Sequence, residues 1–176
     1  MTEAYVALLR GVNVGGNNKL PMKSLSALCE AQGCTAVQTY IQSGNVVFRA
    51  TARVAAAFPA KLKARIKEEL GFETTVILRT AAEFLAVTEN NPFAAEHSHV
   101  LFLAAEPNLT DVVKLNPPCE GDEAFSLRGK EIFLYLPYGM GRSKMASYAF
   151  DKVLRTVGST RNWRTVEKLL AMTQAA

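Results

Sequence analysis

Two polar, glycine-rich segments interrupt apolar runs and hold most of the residues suited to binding chemistry. Arg10-Gly11-Val12-Asn13-Val14-Gly15-Gly16-Asn17-Asn18-Lys19 follows Tyr5-Val6-Ala7-Leu8-Leu9, and Gln42-Ser43-Gly44-Asn45 lies between Val37–Ile41 and Val46–Phe48. Glycine lets backbone N–H groups converge on a ligand or adopt positive φ. With side-chain amides and two cations added, Arg10, Asn13, Gly15, Gly16, Asn17, Lys19, Ser43, Gly44 and Asn45 are the candidate ligand-binding residues, and the chemistry they suit is recognition of an anion. The same residue types also build tight turns and cap helices, so from sequence both uses stand. A third group, Tyr138-Gly139-Met140-Gly141-Arg142-Ser143-Lys144, places Arg142, Ser143 and Lys144 where a glycine turn is expected to feed a helix, an arrangement suited to phosphate or to ordinary capping. Neither glycine-rich segment has the P-loop spacing Gly-x-x-x-x-Gly-Lys-Ser/Thr.

For catalysis the inventory is thin. His97 and His99 are the two histidines and are expected at the surface, with no carboxylate or cysteine pattern to complete a metal site. Gln42-Ser43-Gly44 is not a Gly-x-Ser-x-Gly nucleophile elbow. No carboxylate lies near the two loops in sequence, which argues against a paired acid and base. Phosphoryl chemistry run by Arg, Lys and backbone donors stays open. Cys29, Cys34 and Cys119 are odd in number and lack a CxxC spacing. Catalytic residues and cofactor are therefore left unassigned, and no metal site is expected.

The elements that would position these residues follow from periodicity. Ala4–Arg10 reads as a strand, Pro21 to Gly33 as a helix with Met22, Leu25, Leu28 and Cys29 on one face, and Val37–Ile41 with Asn45–Arg49 as a hairpin. Val54, Phe58, Leu62, Ile66 and Leu70 recur every four residues, and Pro59 inside that stripe predicts that the regular helix starts near it. Thr74–Arg79 is the fourth strand. In this strand-helix-strand-strand-helix-strand order, which is ferredoxin-like, the end of the first strand lies beside the start of the third, so the two loops share a rim.

The second half reads as a degraded copy. Thr80-Ala81-Ala82-Glu83 is a capping box, Val100–Ala104 a strand and Asn108–Leu115 a short helix. Ala124–Leu127 and Glu131–Leu136 form a hairpin, and a helix is predicted over Ser143–Val157 with Gly158 as its stop. A last helix runs from about Asn162 to Met172 with Trp163 in the core. The expectation is an α+β fold of two tandem ferredoxin-like (βαββα-type) subdomains packed together: 1–79, a connecting helix and loop at 80–97, and 98–176 with an extra C-terminal helix.

Several of these motifs are familiar. Tyr5–Leu9 with Arg10–Gly16, then Tyr40–Phe48, Gly141-Arg142-Ser143-Lys144 and Thr160-Arg161-Asn162-Trp163, closely resemble the bacterial family called domain of unknown function 1697. The resemblance covers essentially the whole chain. It implies two ferredoxin-like subdomains and brings no established activity or catalytic residues. Pro59 departs from the usual pattern.

Composition bounds the function classes. The 176 residues are 49% hydrophobic and 20% charged with a net charge of +4, the profile of a globular protein. No apolar run approaches the roughly 18 residues of a membrane helix, no signal-peptide pattern opens the chain, and a cytoplasmic location is expected. Residues 124–176 carry 9 Lys and Arg against 3 Asp and Glu, while residues 1–123 carry 11 against 13. That basic final third suits an anionic partner or a solvated helix face. The favoured partner is an anionic, nucleotide-like or phosphorylated small molecule. The alternatives are a nucleic-acid-binding module, weakened because the third strand lacks the aromatic pattern of an RNA-recognition motif, and a non-catalytic interaction protein.

Overall fold

The first strand, β1 (Glu3–Leu9), is buried on both faces after Glu3, and both of its edges are paired within a sheet. The computed structural model describes residues 1–176. Its first elements are β1, α1 (Met22–Glu30), β2 (Thr35–Tyr40), β3 (Asn45–Ala50), α2 (Ala52–Leu70), β4 (Val76–Thr80) and α3 (Ala81–Glu89). The four strands form an antiparallel sheet in the order β2-β3-β1-β4. In the register, Leu8 stands opposite Asn45 on one side and Leu9 opposite Val76 on the other. The end of β1 therefore lies between the starts of β3 and β4.

Alternate strand residues Tyr5, Ala7, Leu9, Val46 and Phe48 share one core with Leu25, Leu28 and Cys29 of α1 and Ala55, Phe58, Leu62 and Ile66 of α2. Phe48 and Phe58 meet with ring centroids 4.5 Å apart. Val6, Leu8 and Val47 on the other sheet face are buried too. Pro59 does not delay α2, contrary to expectation: the helix runs unbroken from Ala52, and Thr51 caps it by accepting the Val54 N–H at 3.3 Å. A mid-helix proline costs about 3 kcal/mol. Burial of Phe58, Leu62 and Ile66 at roughly 1.5–3 kcal/mol each outweighs that cost.

The remaining elements are β5 (Ser98–Leu103), α4 (Leu109–Val112), β6 (Ala124–Arg128), β7 (Glu131–Tyr135), α5 (Phe150–Leu154), β8 (Gly158–Asn162) and α6 (Trp163–Ala175). They form a second antiparallel sheet ordered β6-β7-β5-β8. The predicted helix over 143–157 is not present. A 3-10 turn at Met140–Arg142 and further turns lead to the five residues of α5. Tertiary contacts decide this. Met145, Phe150 and Leu154 enter one core, Phe150 packs on Phe125 and Tyr148, and Arg155 in the left-handed region (φ 54°) ends the helix. That release lets Gly158–Asn162 pair with β5, a strand the sequence did not disclose. Gly158 is no helix stop: a Cβ there would lie 2.5 Å from Leu101 Cδ1, so glycine is what lets this strand close on its neighbour. Asn162 then caps α6 by accepting the Thr165 N–H at 2.9 Å.

Residues 1–86 with 167–176 form one compact unit, and 87–166 form the other. The segment expected to connect them, 80–97, contains α3 and a 3-10 turn at Ala95–His97. The capping box opening α3 is made: Thr80 Oγ1 accepts the Glu83 N–H at 3.0 Å, and Glu83 Oε2 accepts the Thr80 N–H at 2.9 Å.

Candidate functional site

The loop after β1 is a miniature hairpin. The Asn17 N–H donates to the Val14 carbonyl at 3.0 Å, and the Asn13 N–H to the Asn18 carbonyl at 3.1 Å. Gly15 (φ 57°) and Gly16 (φ 77°) form the tip, a two-residue turn that requires positive φ at both positions. At its base, Asn13 is a three-way pin. Its Nδ2 donates to the Leu20 carbonyl at 2.9 Å and the Gln42 carbonyl at 2.7 Å, and its Oδ1 accepts the Leu20 N–H at 2.8 Å. The bond to Gln42 ties the two polar loops together directly.

The second loop is similarly self-consumed. Asn45 is fully buried and donates to the Tyr40 carbonyl at 3.1 Å and to Ser43 Oγ at 2.8 Å. The Gly44 carbonyl accepts the Leu9 N–H at 2.8 Å. A Cβ on Gly44 would sit 2.7 Å from both Leu9 Cβ and Val12 Cγ2, so this glycine serves close packing. Asn13, Gly44 and Asn45 thus build the rim, and Ser43 is half-buried as an acceptor. Arg10, Gly15, Gly16, Asn17 and Lys19 are exposed. The side chains of Asn17 and Lys19 have no protein partner.

Beneath this hairpin lies a cleft of about 260 Å³ lined by Arg10, Gly11, Asn18, Lys63, Glu73, Thr74 and Thr75. The Arg10 N–H donates to the Thr75 carbonyl at 2.9 Å, and Thr74 Oγ1 donates to the Arg10 carbonyl at 2.8 Å. Asn18 Nδ2 fixes the other wall by donating to the Gly11 carbonyl at 3.0 Å. Lys63, Glu73, Thr74 and Thr75 were missed in sequence, and the expectation that no carboxylate stands near the loops is corrected by Glu73. The missed signal was the adjacency of β1 and β4, which brings the segment before β4 beside Arg10. The Glu73 carboxylate lies 2.7 Å from Lys67 Nζ. That hydrogen bond and charge, with Lys63 contributing, hold its carboxyl below the usual range, and Lys67 is raised in turn.

A larger cleft of about 340 Å³ at Thr2–Ala4, Arg49 and Thr80–Ala82 offers less. Its guanidinium is engaged with the Thr2 carbonyl at 2.7 Å and the Ala176 carbonyl at 3.3 Å.

In the second unit the Arg142 group does not flank a helix N-terminus, because no helix starts at Ser143. Ser143 is buried and accepts the Ala146 N–H at 3.1 Å. Lys144 Nζ lies 2.7 Å from Glu120 Oε1, whose hydrogen bond and charge raise the lysine. Arg142 is exposed and unpaired. The helix-dipole case for a phosphate there therefore falls away.

His97 and His99 are half-buried rather than surface residues. Burial holds His99 below the usual histidine range, and its Nδ1 has no hydrogen-bond partner. Cys29 and Cys34 close the end of α1: the Cys34 N–H donates to the Cys29 carbonyl at 3.3 Å and Gly33 N–H to Glu30 at 2.9 Å, the pairing of a Schellman turn. Burial pushes the Cys34 thiol up to about 11 and Cys29 higher still, which makes both poor nucleophiles.

No helix is long and apolar enough to cross a membrane. Among solved structures, that of the conserved bacterial protein SP0830 from Streptococcus pneumoniae is similar in fold, with a TM-score of 0.77 at 22% identity, covering 98% of this chain and 99% of that one. No protein of curated function matches the chain. Residues 1–133, which include both polar loops and the cleft, match the sequence pattern of the family described as Protein of unknown function (DUF1697), and the chain belongs to that family.

Proposed function

We propose that the first unit binds a phosphorylated small molecule at the rim made by residues 10–19 and 42–45, with Arg10, Lys19, Asn17 and the exposed Gly15-Gly16 backbone facing the ligand. We read both units as ferredoxin-like, since each runs strand-helix-strand-strand-helix-strand with the same sheet order. On that reading the chain carries its own control. The connection from β1 to α1 takes twelve residues, 10–21, whereas its counterpart from β5 to α4 takes five, 104–108. Likewise the β2–β3 turn spans 41–44 where the β6–β7 turn needs only Gly129-Lys130. This sheet order can be closed with short turns, so the added length in the first unit supports a role other than folding, and its cations and amides suit an anion.

A thermal-shift and native mass spectrometry screen of the purified protein against phosphorylated metabolites tests this. Stabilisation by a phosphorylated compound that weakens only mildly with salt is expected. A response confined to oligonucleotides and lost steeply with salt would favour backbone binding of nucleic acid instead.

A further inference from the structure

Independently of the rim, we propose that the second unit carries a site for a soft monovalent metal ion, copper(I), held between the thiolate of Cys119 and the thioether of Met145. Cys119 Sγ lies 3.6 Å from Met145 Sδ and 3.7 Å from the Pro117 carbonyl oxygen. The two sulfurs come from positions 26 residues apart, so tertiary structure brings them together. Two sulfurs bound to one ion at about 2.3 Å each can stand no more than about 4.6 Å apart. This pair is already within that span, at a sulfur–metal–sulfur angle of roughly 100°. Met145 is fully buried in the core and Cys119 is exposed, so an ion enters from the cysteine side. A buried methionine alone is ordinary core filler; the thiol set against its sulfur makes it a donor.

The loop that carries Cys119 is held in place beside Met145. Glu120 Oε1 lies 2.7 Å from Lys144 Nζ, an ion pair between the immediate neighbours of the two sulfur residues. Glu123 Oε2 accepts the Glu120 N–H at 3.0 Å, and the Asp122 N–H donates to the Tyr138 hydroxyl oxygen at 3.2 Å. Donors positioned in advance lower the ordering cost of binding. The donor set then selects the ion. Thiolate and thioether together suit copper(I), whereas structural zinc takes four ligands from Cys, His and carboxylates. No three His, Cys, Asp or Glu side chains in the chain group to hold a metal ion. Burial first and the Glu123 carboxylate second hold the free Cys119 thiol above its usual range, which disfavours a nucleophilic role. Copper(I) on the thiolate makes a neutral pair, so the nearby carboxylate no longer opposes the sulfur's charge. The step is an exchange: an S–H bond breaks, an S–Cu bond forms, the proton leaves to water, and copper stays in the +1 state.

The test is anaerobic titration of the reduced full chain with copper(I) in thiol-free buffer, in competition with a chromogenic copper(I) chelator. Native mass spectrometry gives the stoichiometry. The wild type should take up one copper with loss of one proton. Cys119→Ser should take up none, which separates this site from the buried Cys29 and Cys34 thiols. Met145→Leu, a swap that conserves core volume, should melt near wild type and bind copper about tenfold more weakly. X-ray absorption of the wild-type complex, which depends on no variant folding, should show two sulfurs on copper. Equal binding by Met145→Leu, a single sulfur in the absorption spectrum, or copper retained by Cys119→Ser would each overturn the site. Failure of the wild type to compete with the chelator would overturn it too.

Discussion

Replacing Asn13 with alanine separates scaffold from ligand site, because the structure assigns this residue to the scaffold although its neighbours in the loop face solvent. The substitution removes three hydrogen bonds, two to Leu20 and one to the Gln42 carbonyl. Leu20 is fully buried, so its N–H and carbonyl lose partners that water cannot easily replace, at about 1 kcal/mol each. The Gln42 carbonyl belongs to an exposed residue and recovers most of its bond from solvent. Asn13 also sits at φ 54°, a conformation asparagine tolerates better than alanine by a further fraction of a kcal/mol. The expected loss is therefore about 2–3 kcal/mol. Urea unfolding followed by circular dichroism reads the total, and hydrogen exchange at the Leu20 amide reads the pin itself. Asn17→Ala, in the same hairpin but with an unpartnered exposed side chain, should stay within about 0.5 kcal/mol of wild type. An Asn13→Ala protein as stable as the Asn17→Ala one, with the Leu20 amide still protected, would refute the reasoning.

Three further outcomes follow from the same geometry. Gly44→Ala should destabilise by at least about 2 kcal/mol, since its Cβ would meet Leu9 and Val12 at 2.7 Å and the residue sits at φ 75°; a neutral result in thermal melts would contradict the close packing. Ile41, β-branched and half-exposed at φ 48°, carries strain of about 1–2 kcal/mol. Ile41→Gly should therefore unfold no earlier than wild type, and a clear drop in midpoint would mean that the side chain contributes more than the strain costs. His99 has its folded-state pKa lowered by burial, so folding favours the neutral ring. The stability it contributes is complete above the unfolded value near 6.5 and is lost as pH falls through the lower folded value. His99→Gln should flatten stability between pH 7 and 5, above the range where Glu73 and Asp111, both lowered by lysine partners, begin to protonate. An unchanged pH slope would count against this assignment.

The first sheet was legible because its signals were local and mutually consistent. The apolar β1 run, the Leu25-Leu28-Cys29 helix face and the four-residue stripe of α2 each predicted an element that formed. The stretch from Ser143 to Asn162 was not legible. Met145, Ala149, Val153 and Val157 have helical spacing, yet Ala149 and Val157 face solvent and the core is instead supplied by Met145, Phe150 and Leu154. Gly158 looked like punctuation because nothing in the sequence reveals that Leu101 will press against it. At the site, residue types were readable and orientation was not. Asparagines 13, 17 and 45 are alike on paper, but two are spent on backbone carbonyls and one points outward. Glu73 escaped because only the pairing of β1 with β4 brings it near Arg10, and Lys63 because it is an exposed position of α2.

The energetics of the β1–α1 loop say why it holds its shape. Lengthening a closed loop from five to twelve residues costs only about 0.8 kcal/mol in closure entropy, whereas fixing each residue costs roughly 1–2 kcal/mol. The loop meets that larger cost with its own bonds: the Asn13 pin, the Asn18 side chain on Gly11, the two hairpin pairings, and the burial of Val12 and Leu20. Order at the rim therefore does not wait for a ligand. If the proposed rim does bind a ligand, a loop ordered in advance spends little of the binding energy on its own folding. Most of the glycine and asparagine content is thus accounted for by ordering, at Asn13, Asn18, Gly44 and Asn45, and what that order leaves exposed is Asn17, Lys19 and the Gly15-Gly16 tip.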